Sequence, residues 1–395
     1  MPADRLARLT LLPELKLTGV YKTGPFHGRL EAEKVSPFEV CPKCATASHV
    51  IYDRRRITVR DSPLRDKHIR LVILKRRFKC KSCGAVFTEP VSGISKGRRY
   101  TERYRRSLLW ACETFVDLKS VRKNLGCSYG FIYKALYEQL ELQRRMKTNY
   151  PWPKTIGIDE HSFGRNKEKG FQEFVSFIID HKNKKAFEVV KGRTSEDLRE
   201  ALSHIQGREN VRFVTMDMSE TYRRFVRGFF PNAQIIADKF HVSRLLNQAI
   251  NRRRKEITGD KRANPIRRLL LRNRFKLKYS VRLIIDEWLR QYPDLSEIYW
   301  FKEALHKFYR TRGYNKAARA LTKLTDEMGY SNIIEIQATR KTLLSWRKEI
   351  ILYFATGLTN ARVEGFNNVA KVIKRRAYGY RSFKNYRLRL LNACA

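Results

Sequence analysis

Two Cys-x-x-Cys pairs near the N-terminus restrict the fold of this chain more than any other feature. Cys41 and Cys44 form the first pair, Cys80 and Cys83 form the second, and a β-rich segment separates them. Two intervening residues let both sulfurs of a pair reach one ion, and structural Zn²⁺ takes four such ligands in a tetrahedron. Gly84, directly after the second pair, tolerates the left-handed backbone of such a turn. The pattern predicts one structural Zn²⁺ held by the four cysteines.

Other interpretations of these cysteines stay open. They could be reduced thiols packed in a small core, or a redox motif, although neither pair follows a strand and opens a helix. His49 could replace one sulfur as a ligand, but a solvated histidine is the better interpretation. Seven cysteines in 395 residues do not make a disulfide framework, so their use indicates a reducing compartment.

The charge of the chain points to an acidic partner. Lys and Arg number 83 against 39 Asp and Glu, a formal net charge of +44, and nucleic acid is the commonest large partner for such a surface. A hydrophobic content of 42% excludes general disorder. No apolar run approaches the ~18 residues of a membrane span, and the first residues lack the apolar core of a secretory signal. We therefore expect neither a secreted nor a membrane protein.

The pattern of residues changes several times along the chain. Residues 1–35 give little signal, 36–92 hold the cysteines and β-type runs, and 98–147 look helical. After a Pro-Trp-Pro linker at 151–153 the pattern predicts strands at 155–158, 171–180, 185–190, 211–216 and 234–237, with helices at 194–205 and 220–230. Strands mixed with helices in this order predict an α/β sheet domain. Residues 241–353 are helical and very basic.

A helix-turn-helix is predicted at residues 118–140. The first helix would span 118–125, Gly126-Cys127-Ser128 would form the turn, and the second helix would begin at residue 129 and lie in the major groove. An ordinary helical hairpin fits the pattern equally well, and only the basic neighbourhood favours DNA. The residues expected to face outward are Ser128, Tyr129, Tyr133 and Lys134.

Clusters of cations are predicted to contact DNA phosphates, although such clusters are more often solvated faces. The window 251–282 has thirteen Lys or Arg against two acids, and 371–389 has eight and no acid. The candidate contacts are Arg54, Arg55, Arg56, Arg76, Arg77, Arg252, Arg253, Arg254, Lys374, Arg375 and Arg376.

Acidic residues at strand ends suggest phosphoryl chemistry. Asp159 follows the strand at 155–158, and Asp217 follows the strand at 211–216. Glu364 offers a third acid, on the first turns of a helix for which Asn360 is a plausible N-cap. Three such carboxylates could hold two Mg²⁺ or Mn²⁺ ions for in-line displacement at a phosphodiester. Rival acids at neighbouring positions are Glu160, Glu220 and Asp238.

The C-terminal block resembles the signature of the ISL-three family of bacterial insertion-sequence transposases. This block comprises residues 360–368 (NARVEGFNN) and 374–387 (KRRAYGYRSFKNYR). Residues 156–163 (IGIDEHSF), 215–219 (TMDMS) with Tyr222, and 237–242 (ADKFHV) are similar to the other blocks of that family, in the same order. The cysteine pairs and the helix-turn-helix also lie where that family has them, so the resemblance covers roughly residues 38–392.

The resemblance implies a multidomain α+β protein whose catalytic domain is ribonuclease-H-like. Asp159, Asp217 and Glu364 would be the catalytic residues and the ligands of two Mg²⁺ or Mn²⁺ ions, with Asp238 and His241 near the site. The expected domains are an N-terminal segment (1–35), a zinc-binding ribbon (36–92), a helix-turn-helix domain (98–147), the first part of the catalytic domain (152–245), a basic helical insertion (246–352), and the C-terminal part of the catalytic domain (353–395).

The implied function is DNA transposition. The protein would bind the terminal inverted repeats of its element as double-stranded DNA, cut to free a 3′-OH, and join that hydroxyl to target DNA. Pairing of two ends favours a homodimer, and the expected location is the cytoplasm of a bacterium, at the nucleoid. Two alternatives stay open: a non-catalytic DNA-binding regulator derived from a transposase, and a nuclease or RNA-processing enzyme with the same two-metal chemistry.

Overall fold

The computed structural model describes residues 11–115, 117–145, 150–165, 170, 172–259 and 265–395. The start of the predicted N-terminal segment, the end of the predicted helix-turn-helix domain at 146–149, and residues 260–264 of the predicted insertion lie outside this description. The chain forms two compact units, Met1–Leu142 and Gln143–Ala395. In the described part, no helix is both long enough and apolar enough to cross a membrane.

The first unit combines a long β-ribbon with three helices. Its elements are β1 (Leu15–Gly24), β2 (His27–Lys34), β3 (Glu39–Val40), β4 (Ala47–Ser48), β5 (Ile51–Leu64), β6 (Lys67–Lys79), β7 (Val86–Thr88), α1 (Glu102–Thr114), α2 (Leu118–Leu125) and α3 (Tyr129–Arg145).

Strands β1 and β2, which precede residue 36, belong to the same sheet as the ribbon. The sheet has the order β1-β2-β6-β5, and β7 also pairs with β6. β2 runs parallel to β6, from His27 opposite His68 to Glu33 opposite Leu74. Leu30 of β2 is buried in the same core as residues of β5 and β6. The predicted boundary between residues 35 and 36 is therefore not a structural boundary.

The predicted helix pair is confirmed as α2 and α3. Gly126 ends α2 in the left-handed conformation, with φ of 60°. The hydroxyl of Ser128 accepts a hydrogen bond from the backbone N–H of Phe131 at the start of α3. Val121 of α2 and Ile132 of α3 are both fully buried.

The second unit contains five strands and twelve helices among the described residues. Its elements are β8 (Thr155–Arg165), β9 (Gln172–Asp180), β10 (Lys185–Lys191), α4 (Ser195–Leu202), β11 (Phe213–Met216), α5 (Glu220–Phe229), β12 (Gln234–Ala237), α6 (Lys239–Val242), α7 (Asn247–Thr258), α8 (Pro265–Leu271), α9 (Tyr279–Arg290), α10 (Pro293–Phe308), α11 (Tyr314–Gly329), α12 (Ile334–Ser345), α13 (Arg347–Thr356), α14 (Ala361–Arg376) and α15 (Phe383–Ala393).

The sheet of the second unit has the order β10-β9-β8-β11-β12. β9 is antiparallel to both of its neighbours, whereas β8, β11 and β12 run parallel to one another. All five strands were predicted, but β8 is longer than expected because it pairs with β9 as far as Arg165.

Alternating residues of the sheet supply two separate cores. Ile156 and Ile158 face a core shared with α4, α5 and the helices between residues 247 and 356. Phe177 and Ile179 face the opposite side, where they pack with residues of α14 and α15. The basic helical segment thus covers one face of the sheet and the two C-terminal helices cover the other. The boundary predicted between residues 352 and 353 falls inside α13, which packs against β12.

Candidate active site and zinc centre

The register of the three parallel strands brings three aspartates to one level of the sheet. Thr215 of β11 pairs with Gly157 of β8, so Asp217 is level with Asp159 two residues further along. Met216 is the last residue of β11 to pair with β12, and Asp217 and Asp238 follow the paired residues directly. Parallel strands end at the same edge of a sheet, where ligands commonly bind. Asp159, predicted to end its strand, in fact lies within β8, which continues to Arg165 whereas β11 and β12 stop at this level.

The carboxylates at this edge perturb one another. Burial raises the pKa of Asp159 to about 6, and the charges of Asp217 and Asp238 add to the rise. Burial also raises the pKa of Asp217, whose Oδ1 has no hydrogen-bond partner among the described residues. The pKa of His241 is raised by its hydrogen bond to Asp238 and by the charges of Asp217 and Asp159. Negative charge is therefore concentrated at this edge, with His241 as the neighbouring basic group, and such buried carboxylates suit a divalent ion.

Gly157 allows helix α14 to approach the sheet. A Cβ at this position would lie 2.7 Å from Cγ2 of Val363 and 3.0 Å from Oδ1 of Asn360. Both neighbours belong to the start of the helix that carries Glu364. A larger residue at 157 would displace that helix from the edge where Asp159 lies.

Asn360 connects α14 to the sheet instead of capping it with its side chain. Its amide Nδ2 donates to the backbone carbonyl of Ile158 over 3.2 Å, and its Oδ1 accepts from the hydroxyl of Thr215 over 2.9 Å. Its backbone N–H donates to Oδ1 of Asp238 over 3.2 Å. No side-chain capping bond is formed at this helix start. Asn360 occupies the N-cap position as predicted, but its side chain does not cap the helix because the buried amide is bonded to the strands.

Asn367, one turn further along α14, contacts Asp159 directly. Its Nδ2 donates to Oδ2 of Asp159 over 2.9 Å. Glu364 lies four residues after Asn360 and three before Asn367, a spacing that puts all three on one side of the helix. Glu364 itself is exposed. Glu364 therefore lies in the first turn of the same helix whose Asn367 contacts Asp159.

His161 and Tyr386 lie behind Asn367. The ring Nε2 of His161 is hydrogen-bonded to the hydroxyl of Tyr386. His161 Nδ1 and Asn367 Oδ1 are both buried and lack a geometrically good partner among the described residues. Burial lowers the pKa of His161 to about 4, so the ring is neutral near neutral pH.

The three predicted acids do not form a closed cluster. Within the described ranges, the four cysteines are the only set of three or more potential ligands whose atoms all lie within 4.8 Å of one another. A pair of Mg²⁺ ions ~4 Å apart, each ~2.1 Å from its oxygens, can be held by carboxylates up to roughly 8 Å apart. Two ions would thus not require the three carboxylates to lie in mutual contact.

The rival acids have other partners. Glu160 points to the opposite face from Asp159 and pairs with Arg193 over 3.1 Å. Glu220 is exposed and pairs with Arg223 over 3.4 Å. Asp238 is buried and accepts from His241 Nδ1 over 2.8 Å. Asp238 and His241 thus lie beside the site, as expected.

The four cysteines of the first unit form the predicted cluster. Sγ of Cys41 lies 3.7 Å from Sγ of Cys83, and Sγ of Cys44 lies 3.6 Å from Sγ of Cys80. With Zn–S bonds of ~2.3 Å, a tetrahedron has sulfur–sulfur edges of about 3.8 Å, so the spacing fits Zn²⁺. His49 is not part of the cluster.

Equivalent backbone turns hold the two cysteine pairs. Ala45 N–H donates to the carbonyl of Cys41, and Gly84 N–H donates to that of Cys80. Ala45 and Gly84 both have left-handed backbones, with φ of 57° and 72°. The hydrogen bond between Sγ of Cys44 and the hydroxyl of Thr46 lowers the pKa of Cys44 to about 6, which favours the thiolate that a metal requires.

Most predicted DNA-contacting residues of the first unit are exposed. Arg54, Arg55 and Arg56 lie on the surface of β5. Ser128, Tyr129, Tyr133 and Lys134 face outward from α3, as predicted.

Two partly buried arginines of β6 form ion pairs with acids of the protein. Arg77 pairs with Asp53, and Arg76 pairs with the fully buried Glu89 over 2.8 Å while donating to the carbonyl of Ser36. Arg76 stabilises the ribbon, so the expectation that it contacts phosphate is not kept.

In the basic segments of the second unit, too, some predicted DNA-contacting cations are exposed and others are buried. Arg252 is exposed and Arg253 is half-buried, and both lie within 4.0 Å of Glu335. Arg254 is 1% exposed, and its Nη1 donates to the hydroxyl of Thr258. We do not keep Arg254 as a phosphate contact, because its side chain is inside the core.

The C-terminal cations lie on α14. Lys374 donates through Nζ to the carbonyl of Ser162, Arg375 is exposed, and Arg376 is half-buried. Lys374 therefore also ties α14 to β8.

The sequence did not identify Gly157 and Asn367 as residues of the site. It also did not predict the hydrogen bonds that join Asn360 to the strands. Asn367 lies three residues after Glu364, a spacing that could have indicated a shared helix face. The partners in β8 and β11 are more than 140 residues away, and no local pattern reveals them.

Family models and a known protein match the parts of the chain that carry the acids and the cysteines. Residues 156–390 match the model of the ISL3 transposase family, and residues 37–83 match the zinc-finger of transposases IS204, IS1001, IS1096 and IS1165. The transposase for insertion sequence element IS1001 of Bordetella parapertussis is 24% identical over 365 residues, which cover 89% of this chain and 87% of that protein. The family match spans more than half of the chain and contains the acid-bearing edge of the sheet. The chain therefore belongs to the ISL3 family of insertion-sequence transposases.

Proposed function

We propose that this transposase binds the terminal inverted repeats of its element and hydrolyses a phosphodiester to free a 3′-OH. That 3′-OH then attacks a phosphodiester of target DNA, which joins the element end to the target. The observation that carries the proposal is the level alignment of Asp159 and Asp217 at one edge of the sheet, with helix α14, which includes Glu364, bonded to Asp159 through Asn367. In-line displacement at phosphorus requires such a group of oxygen ligands.

The topology of the second unit supports a ribonuclease-H-like catalytic domain. Numbered along the chain, its sheet has the order 3-2-1-4-5, with the second strand antiparallel to the rest. The first and fourth strands, β8 and β11, carry the two aspartates on neighbouring parallel strands. This is the arrangement that the family resemblance implies.

Asp159, Asp217 and Glu364 would hold two Mg²⁺ or Mn²⁺ ions. The unpartnered Oδ1 of Asp217 and the raised pKa of Asp159 support such a role. When bound, the ions activate the attacking oxygen and stabilise the leaving one. Asn367 orients the carboxylate of Asp159, and Asn360 holds the first turn of α14 against the strands.

The first unit would supply recognition of DNA. We propose that α3 enters the major groove, that Arg54, Arg55 and Arg56 contact phosphates, and that one Zn²⁺ stabilises the ribbon beside them. Arg252, Arg253, Lys374, Arg375 and Arg376 would contact phosphates in the second unit. Since two ends of an element must be paired, we further propose a homodimer acting in the bacterial cytoplasm.

Metal-dependent nicking of DNA that carries the inverted repeats tests the proposal. We expect Asp159→Asn, Asp217→Asn and Glu364→Gln each to abolish nicking while leaving binding to the repeat nearly unchanged. Glu220→Gln is the matched control, because that acid is exposed on the neighbouring α5. Full nicking by one of the first three variants would refute the role of that residue.

The same experiment separates the alternative functions. A regulator without catalytic activity would bind the repeats and never nick them in Mg²⁺ or Mn²⁺. A nuclease or RNA-processing enzyme would cut without requiring the repeats and would not join the product to a second duplex. Joining of a cut end to a target duplex is the result expected of a transposase.

A further inference from the structure

A basic cavity of about 370 Å³ lies in the first unit, at the start of α3. Three separate parts of the chain line it: strand β5, the segment before α1, and α3. Four of its lining residues are cations and none is an acid. Its principal side chains are Arg60, Arg98, Arg99, Lys134, Tyr100 and Phe131.

Hydrogen bonds and aromatic packing hold the walls of the cavity together. The backbone N–H of Arg60 donates to the carbonyl of Arg99, and the N–H of Thr101 donates to the carbonyl of Arg60, both over 2.9 Å. Tyr100, which is 8% exposed, meets the ring of Phe131 edge-on at a centroid distance of 4.9 Å. The segment before α1 is thus fixed to β5 on one side and to α3 on the other.

The cations of the cavity are only weakly neutralised. Arg98 pairs with Glu138 over 3.3 Å at a solvent-exposed site, where an ion pair contributes little. Arg60 donates to the carbonyl of Gly126 over 3.4 Å. No carboxylate of the described residues lies within 4.0 Å of Arg60, Arg99 or Lys134.

The nearest buried acid is already engaged. Asp61, next to Arg60 in β5, pairs with Arg103 and accepts a hydrogen bond from the hydroxyl of Thr101 over 2.7 Å. Its charge is therefore compensated within the protein. The positive charge of the cavity stays available to an external anion.

We propose that this cavity binds one phosphodiester of duplex DNA, held jointly by the ribbon and by helix α3. The inference rests on the proposed role of the first unit in DNA binding and names a site for it. Guanidinium groups present N–H donors in a planar fork that matches phosphate oxygens, and the aromatic floor gives the adjoining sugar an apolar surface. The ribbon and the helix pair would then bind one DNA segment as a single module.

Charge removal at the cavity tests the site. We compare the full-length, zinc-loaded protein with Arg99→Gln/Lys134→Gln, and with the control Lys16→Gln/Lys22→Gln, which removes the same charge from exposed positions of β1. Binding to a duplex carrying the inverted repeat is measured by fluorescence anisotropy across salt concentrations. Loss of one phosphate contact should lower the slope of log affinity against log salt by about 0.9 in the cavity variant.

A scan with neutral methylphosphonate linkages locates the phosphate. In the wild-type protein and in the control, each contacted position should lose affinity when its phosphate is neutralised. In the cavity variant, the loss at one position should disappear while the others remain. The inference is overturned if every loss persists in the cavity variant, or if both double variants weaken binding equally.

Two further measurements keep the outcomes distinct. Zinc content and circular dichroism of the cavity variant must match those of the wild type. Lys134→Arg keeps the positive charge, so this variant should keep the wild-type salt slope if the charge, and not the fold, determines it. Competition by polyglutamate that equals competition by duplex DNA would instead indicate an acidic protein partner and contradict the site. If the wild type nicks repeat DNA and the cavity variant binds normally, this inference fails while the proposed function stands.

Discussion

The amide Nδ2 of Asn367 donates to Oδ2 of Asp159 over 2.9 Å, which joins helix α14 to the central strand β8. The two residues are 208 positions apart. The hydrogen bond fixes the orientation of a carboxylate that would otherwise rotate about its own side chain. Residues that orient a metal ligand in this way commonly contribute strongly to metal affinity.

We expect Asn367→Ala to lower both metal affinity and nicking by about 10- to 100-fold, because Asp159 loses its donor. Isothermal titration with Mn²⁺ and a nicking assay would measure the two effects. Asn368→Ala is the matched control, since Asn368 is exposed on the same helix. Equal behaviour of the two variants would show that the hydrogen bond is not required.

Substitution of Gly157 should displace α14. The added Cβ of Gly157→Ala meets Val363 at 2.7 Å and Ile179 at 2.9 Å, and such overpacking costs about 1–3 kcal/mol of unfolding free energy. Gly365→Ala, within α14 itself, meets nothing within 4 Å and should stabilise the helix by roughly 0.5–1 kcal/mol. Urea unfolding of the full chain would compare them. A stability of Gly157→Ala at or above that of the wild type would exclude close packing at this point.

The stability of the metal-free protein should depend on the titration of Asp159. Burial and neighbouring carboxylates raise the pKa of Asp159 to about 6 in the folded state, from an ordinary value of 3.8. The folded protein then binds this proton more tightly than the unfolded chain does. The resulting stabilisation is present below about pH 4 and is lost as the pH rises through about 6.

Asp159→Asn should remove this pH dependence, because its neutral amide does not ionise. Thermal unfolding of the metal-free protein between about pH 4 and 7 should therefore show the melting temperature of the variant rising relative to that of the wild type. Asp326→Asn, at an exposed position of α11, serves as the control. A constant difference between wild type and Asp159→Asn across this range would contradict the assignment.

Removal of zinc should unfold the cysteine turns and weaken DNA binding. Structural Zn²⁺ contributes folding free energy directly, so a strong chelator should increase hydrogen exchange in β3, β4 and β7 and leave the second unit protected. Native protein should contain one zinc ion per chain by elemental analysis, and Cys80→Ser should lose it. Cys112→Ser, in α1 outside the cluster, should retain the ion.

The sequence predicted the second sheet well because each strand carries its own signal. The strand at 234–237 was predicted with the bounds it has, and the predicted end of β9 at residue 180 is correct, whereas its predicted start at residue 171 lies outside the described residues. Runs of apolar residues between turns are sufficient to identify such strands. The metal-binding cysteines were also predictable, since their spacing is local.

The features that sequence did not predict depend on distant partners. β1 and β2 were missed because β2 pairs with β6, about forty residues further along the chain. Asn is a common residue at helix N-caps, so the sequence around Asn360 indicates nothing more. Only its hydrogen bonds to Ile158 and Thr215 show that it joins α14 to the strands. The burial of Arg76 and Arg254 likewise follows from tertiary packing, which a count of positive charges does not report.

The contacts of Asn360 also set the order in which the site can form. Its amide needs β8 and β11 already side by side, yet it is made about 145 residues after Thr215. Chains fold from the N-terminus as they are synthesised, so the strands can assemble before α14 emerges. The proposed active site would then be completed only after α14 has been synthesised, and a chain released before residue 361 would lack Glu364 and the helix that carries it.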